Sequence, residues 1–123
     1  MKRILIIEDN IAIRENTKEL LELNAYKVVT AENGTIGFDL AKTFKPDIIL
    51  CDILMPGAEG RRFLKLAHEN AQVQSIPLIF LSAEPLNYKA RESLIRKGDQ
   101  YLLKPFSEED LLGAIRSVDI VAL

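Results

Sequence analysis

Apolar residues in this chain fall into short unbroken blocks, and between the blocks they recur at helical spacing. Lys2–Ile7 is a β-branched apolar run and predicts a first strand. Asn10–Asn24 carries Ile13, Leu20 and Leu21 among charges, which suits a helix with one buried face. Lys27–Thr30 is a short second strand. Asn33-Gly34 opens a second helix, with Ile36, Leu40, Ala41 and Phe44 at helical spacing, and Pro46 ends it. Ile48–Cys51 reads as the third strand, followed by a Met55-Pro56-Gly57 loop. Gly60–Glu69 is a third helix with Phe63, Leu64 and Ala67 on one side. Pro77 introduces a fourth strand at Leu78–Leu81. Leu86–Lys97 predicts a fourth helix with Gly98 as its C-terminal cap. Tyr101–Leu103 is the last strand. Ser107, with Asp110 three residues on, has the pattern of a capping box that starts the fifth helix.

Five strands and five helices therefore alternate. The strands are nearly continuously apolar, as strands covered on both faces must be. Right-handed crossovers turn such an alternation into a doubly wound parallel sheet. The expected fold is α/β, a flavodoxin-like (βα)5 unit with sheet order 2-1-3-4-5 and helices on both faces. At 123 residues the chain is expected to form one domain, residues 1–123, with no linker or repeat.

Charge narrows the function. Sixteen basic residues face eighteen acidic ones, a net charge of −2, which argues against direct nucleic-acid binding. No apolar run approaches the ~20 residues of a membrane helix, and Met1-Lys2-Arg3 precedes too short an apolar stretch for a signal peptide. A cytoplasmic protein without membrane insertion is expected. The single cysteine, Cys51, excludes an intramolecular disulfide.

In a sheet of this kind ligands bind beyond the carboxyl ends of the strands. The residues expected there are Glu8 and Asp9, Asp52, Ser82 with Ala83 and Glu84, and Lys104 with Pro105. Three clustered carboxylates repel one another. Lys104 offsets part of that charge, and a divalent cation would offset more. Carboxylate oxygens without His or Cys favour Mg2+. A magnesium site beside a lysine suits a phosphoryl group, and a carboxylate can itself be the nucleophile. The residues alone thus point to metal-assisted phosphoryl transfer to an aspartate.

The stretches Ile4–Asn10, Pro46–Gly57 with Gly60, Leu81–Glu84 and Asp99–Phe106 together resemble the receiver domain of two-component response regulators, of the chemotaxis-regulator type. The resemblance spans the whole chain. It implies that Asp52 is the phosphoacceptor. Asp9 would bind magnesium directly, Glu8 through water, and the backbone carbonyl of Leu54 would be a further ligand. Ser82 would bond the phosphoryl group and Lys104 would pair with it. Tyr101 would be an aromatic switch moving with Ser82, and the Lys104–Pro105 bond would be cis. The implied partners are a histidine kinase or phosphotransfer protein, and a downstream target. The target would read the fourth helix, fifth strand and fifth helix through Arg91, Arg96, Asp99, Tyr101 and Arg116. Such a protein is a switch rather than an enzyme, catalysing only its own phosphorylation and dephosphorylation.

Some residues depart from the commonest pattern. The acidic pair is Glu-Asp, and Ser82 stands where threonine is commoner. Leu54 cannot position a hydrolytic water, which implies slow phosphate loss. The fifth helix and Asp99-Gln100 lack the arginine pair and acid pair of winged-helix regulators, which favours a stand-alone receiver. A module excised from a larger regulator, or a phosphorylation-independent interaction module, is the alternative. The apolar Val118, Ile120, Val121 and Leu123 suit either simple packing or a homodimer contact. A phosphatase of similar fold would need an acid at Leu54, and a flavin phosphate would be repelled by Glu8-Asp9. His68 and Arg61-Arg62 read as solvated helix positions, and Cys51 as a core residue on the opposite face from Asp52.

Overall fold

The computed structural model describes residues 2–96 and 98–122. Its strands are β1 (Arg3–Ile7), β2 (Lys27–Ala31), β3 (Ile48–Asp52), β4 (Leu78–Ser82) and β5 (Gln100–Leu103). Its helices are α1 (Ile11–Leu23), α2 (Gly34–Phe44), α3 (Glu59–His68), α4 (Ala71–Gln74), α5 (Tyr88–Leu94) and α6 (Glu108–Ala122), with a single 3-10 turn at Pro56–Ala58. All strand pairs are parallel, and the order is β2-β1-β3-β4-β5. This is the expected sheet.

The two-residue period of the strands divides the core. Ile4 and Ile6, Ile48 and Leu50, and Ile79 and Leu81 face α1 and α6, where they meet Leu21, Leu111 and Ile115. Leu5 and Ile7, Ile49 and Cys51, and Leu78 and Phe80 face the other side and pack on Ala41, Phe63, Leu64 and Ala67. Cys51 is fully buried there, as expected. Val118 is likewise buried, against the α1 side, so it is a packing residue; the side chains of Ile120 and Val121, and all of Leu123, lie outside the described residues.

Two elements differ from the sequence expectation. A one-turn helix, α4, stands between the third helix and the fourth strand, so among the described residues the helices number six rather than five. Asn70 starts it, its side-chain oxygen accepting from the N–H groups of Gln72 (3.0 Å) and Val73 (3.1 Å), and Val73 is buried. One turn is too short to show a period.

The predicted fourth helix is also shorter than Leu86–Lys97. It is α5, and it begins only after Asn87, whose side chain caps Ala90 N–H at 2.8 Å. It ends at Leu94, where Ile95 turns extended because Asp99 takes the next N–H, that of Arg96 (3.1 Å). Gly98, with φ +96°, therefore serves the turn before β5 rather than capping the helix, and Lys97 lies outside the described residues. The Ser107–Asp110 capping box is present, with Ser107 Oγ accepting from Asp110 N–H at 3.0 Å.

Gly34 fixes how α2 meets α3. A Cβ there would lie 2.1 Å from the backbone oxygen of Glu59, which cannot give way as a flexible side chain can. We expect Gly34→Ala to lower the unfolding free energy by about 2 kcal/mol, measured by urea titration.

Candidate functional site

Glu8, Asp9, Asp52, Ser82 and Lys104 all arrive at one edge because each sits at or just past the end of a parallel strand. A carboxylate oxygen from each of Glu8, Asp9 and Asp52 lies within 4.8 Å of the others. Glu8 and Asp52 are buried, while Asp9 is exposed at the rim. Lys104 bridges the two buried acids. Its Nζ donates to Asp52 Oδ2 at 2.8 Å and to Glu8 Oε1. The second Asp52 oxygen, Oδ1, accepts from Leu54 N–H at 2.9 Å, so both oxygens of this carboxylate are oriented. Glu8 Oε2 accepts from Asn10 N–H at 3.3 Å.

Burial drives the electrostatics. It pushes the Glu8 carboxyl up to about 7, aided by Asp52 and opposed by Lys104. Burial pulls the Lys104 ammonium down, but its hydrogen bonds to Asp52 and Glu8 and their charges outweigh this and raise it. The site is a surplus of buried negative charge held by one cation. The donors are oxygens only, a set that matches a hard divalent cation. Cys51 is fully buried and its thiol is pushed up by burial, and His68 is exposed on α3; neither joins the cluster.

Ser82 is fully buried. Its hydroxyl donates to the Glu84 carbonyl at 2.7 Å and accepts from Glu84 N–H at 3.2 Å. Tyr101, half-buried on β5, donates its phenol to the same Glu84 carbonyl at 3.1 Å. One backbone oxygen in the loop after β4 thus holds both hydroxyls that the sequence marks as switch residues. The Arg91 guanidinium lies over the Tyr101 ring, 5.5 Å from its centre.

Sequence reasoning missed several supports. Arg14, one turn into α1, donates to the carbonyls of Glu8 (3.0 Å) and Asp9 (3.5 Å) and fixes the loop that carries both acids. Its position shortly after an acidic pair is the only signal, and a weak one. The sequence places Glu84 at the strand-end edge, but its use as a carbonyl acceptor has no sequence signature at all. The Lys104–Pro105 bond is cis, as the resemblance implied.

One expectation is corrected. The resemblance runs the read-out surface through Asp99, but Asp99 is buried. Its carboxylate accepts from Leu78 N–H (3.0 Å) and from Arg96 Nε (2.9 Å), and Arg96 also donates to the carbonyls of Gln74 (2.6 Å) and Ile76 (3.2 Å). Asp99 is thus buried in the fold, and Arg96, still partly exposed, ties the loop after α4 to the turn before β5. Arg91, Tyr101 and Arg116 remain at least partly exposed.

A carboxylate with both oxygens oriented, beside a lysine and an oxygen-only cation cluster, can take up a phosphoryl group. Comparisons with known proteins agree. The chain is 34% identical over 117 residues to the phosphate regulon transcriptional regulatory protein PhoB of Klebsiella pneumoniae, covering 95% of this chain but 51% of that one. It therefore spans about half the length of that relative. It is 34% identical to protein PilH of Pseudomonas aeruginosa, covering 96% of this chain and 98% of PilH. The solved structure of the chemotaxis protein CheY4 of Vibrio cholerae superposes with a TM-score of 0.86 at 28% identity, covering 96% and 98% of the two chains. Among the described residues no helix is long and apolar enough to cross a membrane. Residues 4–116, which contain the whole acidic edge and, but for Arg3, all five strands, match the response regulator receiver domain, and the chain belongs to that family of two-component signalling domains.

Proposed function

We propose that Asp52 accepts a phosphoryl group from a phosphohistidine, carried by a histidine kinase or a phosphotransfer protein. The observation that carries this reading is the Asp52 carboxylate itself, with Oδ1 on Leu54 N–H and Oδ2 on Lys104 beside Glu8 and Asp9. A carboxylate oxygen of Asp52 attacks phosphorus, the phosphorus–nitrogen bond breaks, and its electron pair stays on the imidazole nitrogen. Lys104 meets the charge of the incoming group. Glu8, Asp9 and Asp52, with the backbone carbonyl of Leu54, would hold Mg2+. Bound magnesium would supply positive charge to the phosphoryl oxygens and offset the crowded carboxylates. The oxygen-only donor set fits that ion.

The switch follows from the shared carbonyl. Once phosphate is present, Ser82 exchanges its Glu84 acceptor for a phosphoryl oxygen. That draws the loop after β4 inward and changes the partner of the Tyr101 phenol, biasing a two-state equilibrium. The chain acts as a single receiver domain over 1–123 in the cytoplasm, without direct nucleic-acid contact. A downstream target or a second copy reads α5, β5 and α6 through Arg91, Tyr101 and Arg116. Asp99, being buried, falls outside that surface.

The test is intact mass after incubation with a small phosphoramidate, with magnesium and then with chelator. A magnesium-dependent gain of one phosphoryl group supports the reading. No gain from either the small donor or a phosphorylated histidine phosphotransfer protein, with the chain folded, would overturn it.

The lifetime of the phosphate carries a separate expectation. Leu54 is 49% exposed at the mouth and offers no polar atom to an attacking water. Leu54→Asn is expected to speed phosphate loss several-fold, read as the decay of phosphorylated mass after the donor is removed.

A further inference from the structure

The two faces of the sheet differ in charge. On the α1 and α6 side, Glu15, Glu19, Glu22 and the first turn of α6 are exposed and acidic. On the other side, α3 and α5 present Arg61, Arg62, Lys65 and Lys89, all exposed. The chain as a whole carries a net charge of −2, so this basic side runs against the composition.

These cations line two neighbouring grooves. One, of about 640 Å³, lies along α3 and contains Arg61, Arg62 and Lys65. The other, of about 600 Å³, lies between α3 and α5 and contains Arg61 and Lys89. Arg61 lines both, so the basic surface is continuous across the ridge of α3. Only Arg62 is compensated, by Glu59 at 3.2 Å. Among the described residues, Arg61, Lys65 and Lys89 form no ion pair. Three uncompensated cations around a grooved surface produce a local positive field that an anionic segment can enter.

We propose that this α3–α5 surface is a docking site for an acidic, extended segment of a partner protein. It is separate from the strand-end site, it shares α5 with the α5–β5–α6 surface assigned above but uses none of Arg91, Tyr101 or Arg116, and it does not depend on Asp52 being phosphorylated. A protein segment fits better than nucleic acid because Glu69 and Glu92 punctuate the same grooves. A continuous phosphate backbone would meet both acids, whereas a peptide can place its carboxylates between them. Electrostatic contacts of this kind set specificity and association rate, and they weaken with salt.

The experiment uses the full chain and a fluorescein-labelled peptide of alternating Glu and Ala, read by anisotropy at low and high salt. An all-Gln counterpart and a labelled single-stranded oligonucleotide run beside it. Binding of the Glu peptide, loss of it at high salt, and at least about tenfold weakening in the R61E/K65E variant are expected. Lys18→Glu, on the opposite face, should leave binding unchanged, and circular dichroism shows that each variant is folded. An amide spectrum titrated with the peptide should shift residues of α3 and α5. The proposal is overturned by absent binding at low salt, by equal binding to R61E/K65E, or by shifts confined to another face. It is overturned equally by tighter binding of the oligonucleotide, which would make the surface a nucleic-acid site.

Discussion

Asp52→Asn is expected to gain no phosphoryl group from any donor and yet to stay folded. The amide keeps the shape of the side chain and can still accept from Leu54 N–H, which the carboxylate does at 2.9 Å. It cannot act as the nucleophile, because its oxygen is neutral and the acyl phosphate it would need cannot form. The effect on uptake is therefore complete rather than graded. Stability follows a different balance. The substitution removes one of three carboxylates whose oxygens lie within 4.8 Å of one another, and it also removes one partner of Lys104. Relief of repulsion and loss of attraction oppose each other at similar distance, so the net change should stay within about 1 kcal/mol. Lys104 keeps Glu8 as its partner. Intact mass and a urea midpoint on the same preparation separate the two effects. A full mass gain in the variant would place the acceptor elsewhere.

Lys104→Met is expected to destabilise the magnesium-free protein by about 3 kcal/mol at pH 8, because it leaves two buried acids without their cation. Glu8 and Asp52 are 0% and 4% exposed, so water cannot take over that role. The sign of the pH dependence follows from Glu8. Its folded value, about 7, lies above the ordinary 4.5. Between those two values the folded state holds a proton that the unfolded state has released, so stability falls as pH rises through that window. Lys104 is among the influences that hold Glu8 down. Without it Glu8 rises further, and the loss of stability extends to higher pH. The gap between wild type and variant should therefore be widest at alkaline pH and shrink towards pH 5. Saturating magnesium should recover part of the alkaline loss. Urea titrations across this range, with and without magnesium, test all three expectations. A gap that is independent of pH would show that Lys104 acts through packing alone.

The fold was legible because its signals are local. Each strand is a short apolar block, and Pro46, Pro77 and the Ser107–Asp110 box punctuate the chain where the structure does. Alternation then leaves few topologies, and the sheet order followed. The limits of α5 were not legible. They depend on Asn87 as a cap and on Asp99 capturing Arg96 N–H, a side-chain choice that no period records. The single turn of α4 was missed for the same reason: one asparagine decides it.

The site divides in the same way. The sequence by itself determined which acids, which hydroxyl and which lysine arrive at one edge, because the carboxyl end of every parallel strand opens there. It also determined that Cys51 turns away from Asp52, since neighbouring residues in a strand face opposite sides. Only the tertiary structure decided how those groups are partnered. It put Lys104 between Glu8 and Asp52, and it gave the Ser82 and Tyr101 hydroxyls one carbonyl to share. It buried Asp99, bound Arg96 to it, and gathered Arg61, Lys65 and Lys89 onto one face. The physical reason is that a strand's register fixes where a residue goes, whereas a hydrogen bond or a charge cluster depends on which distant atoms the packed chain brings within a few ångströms.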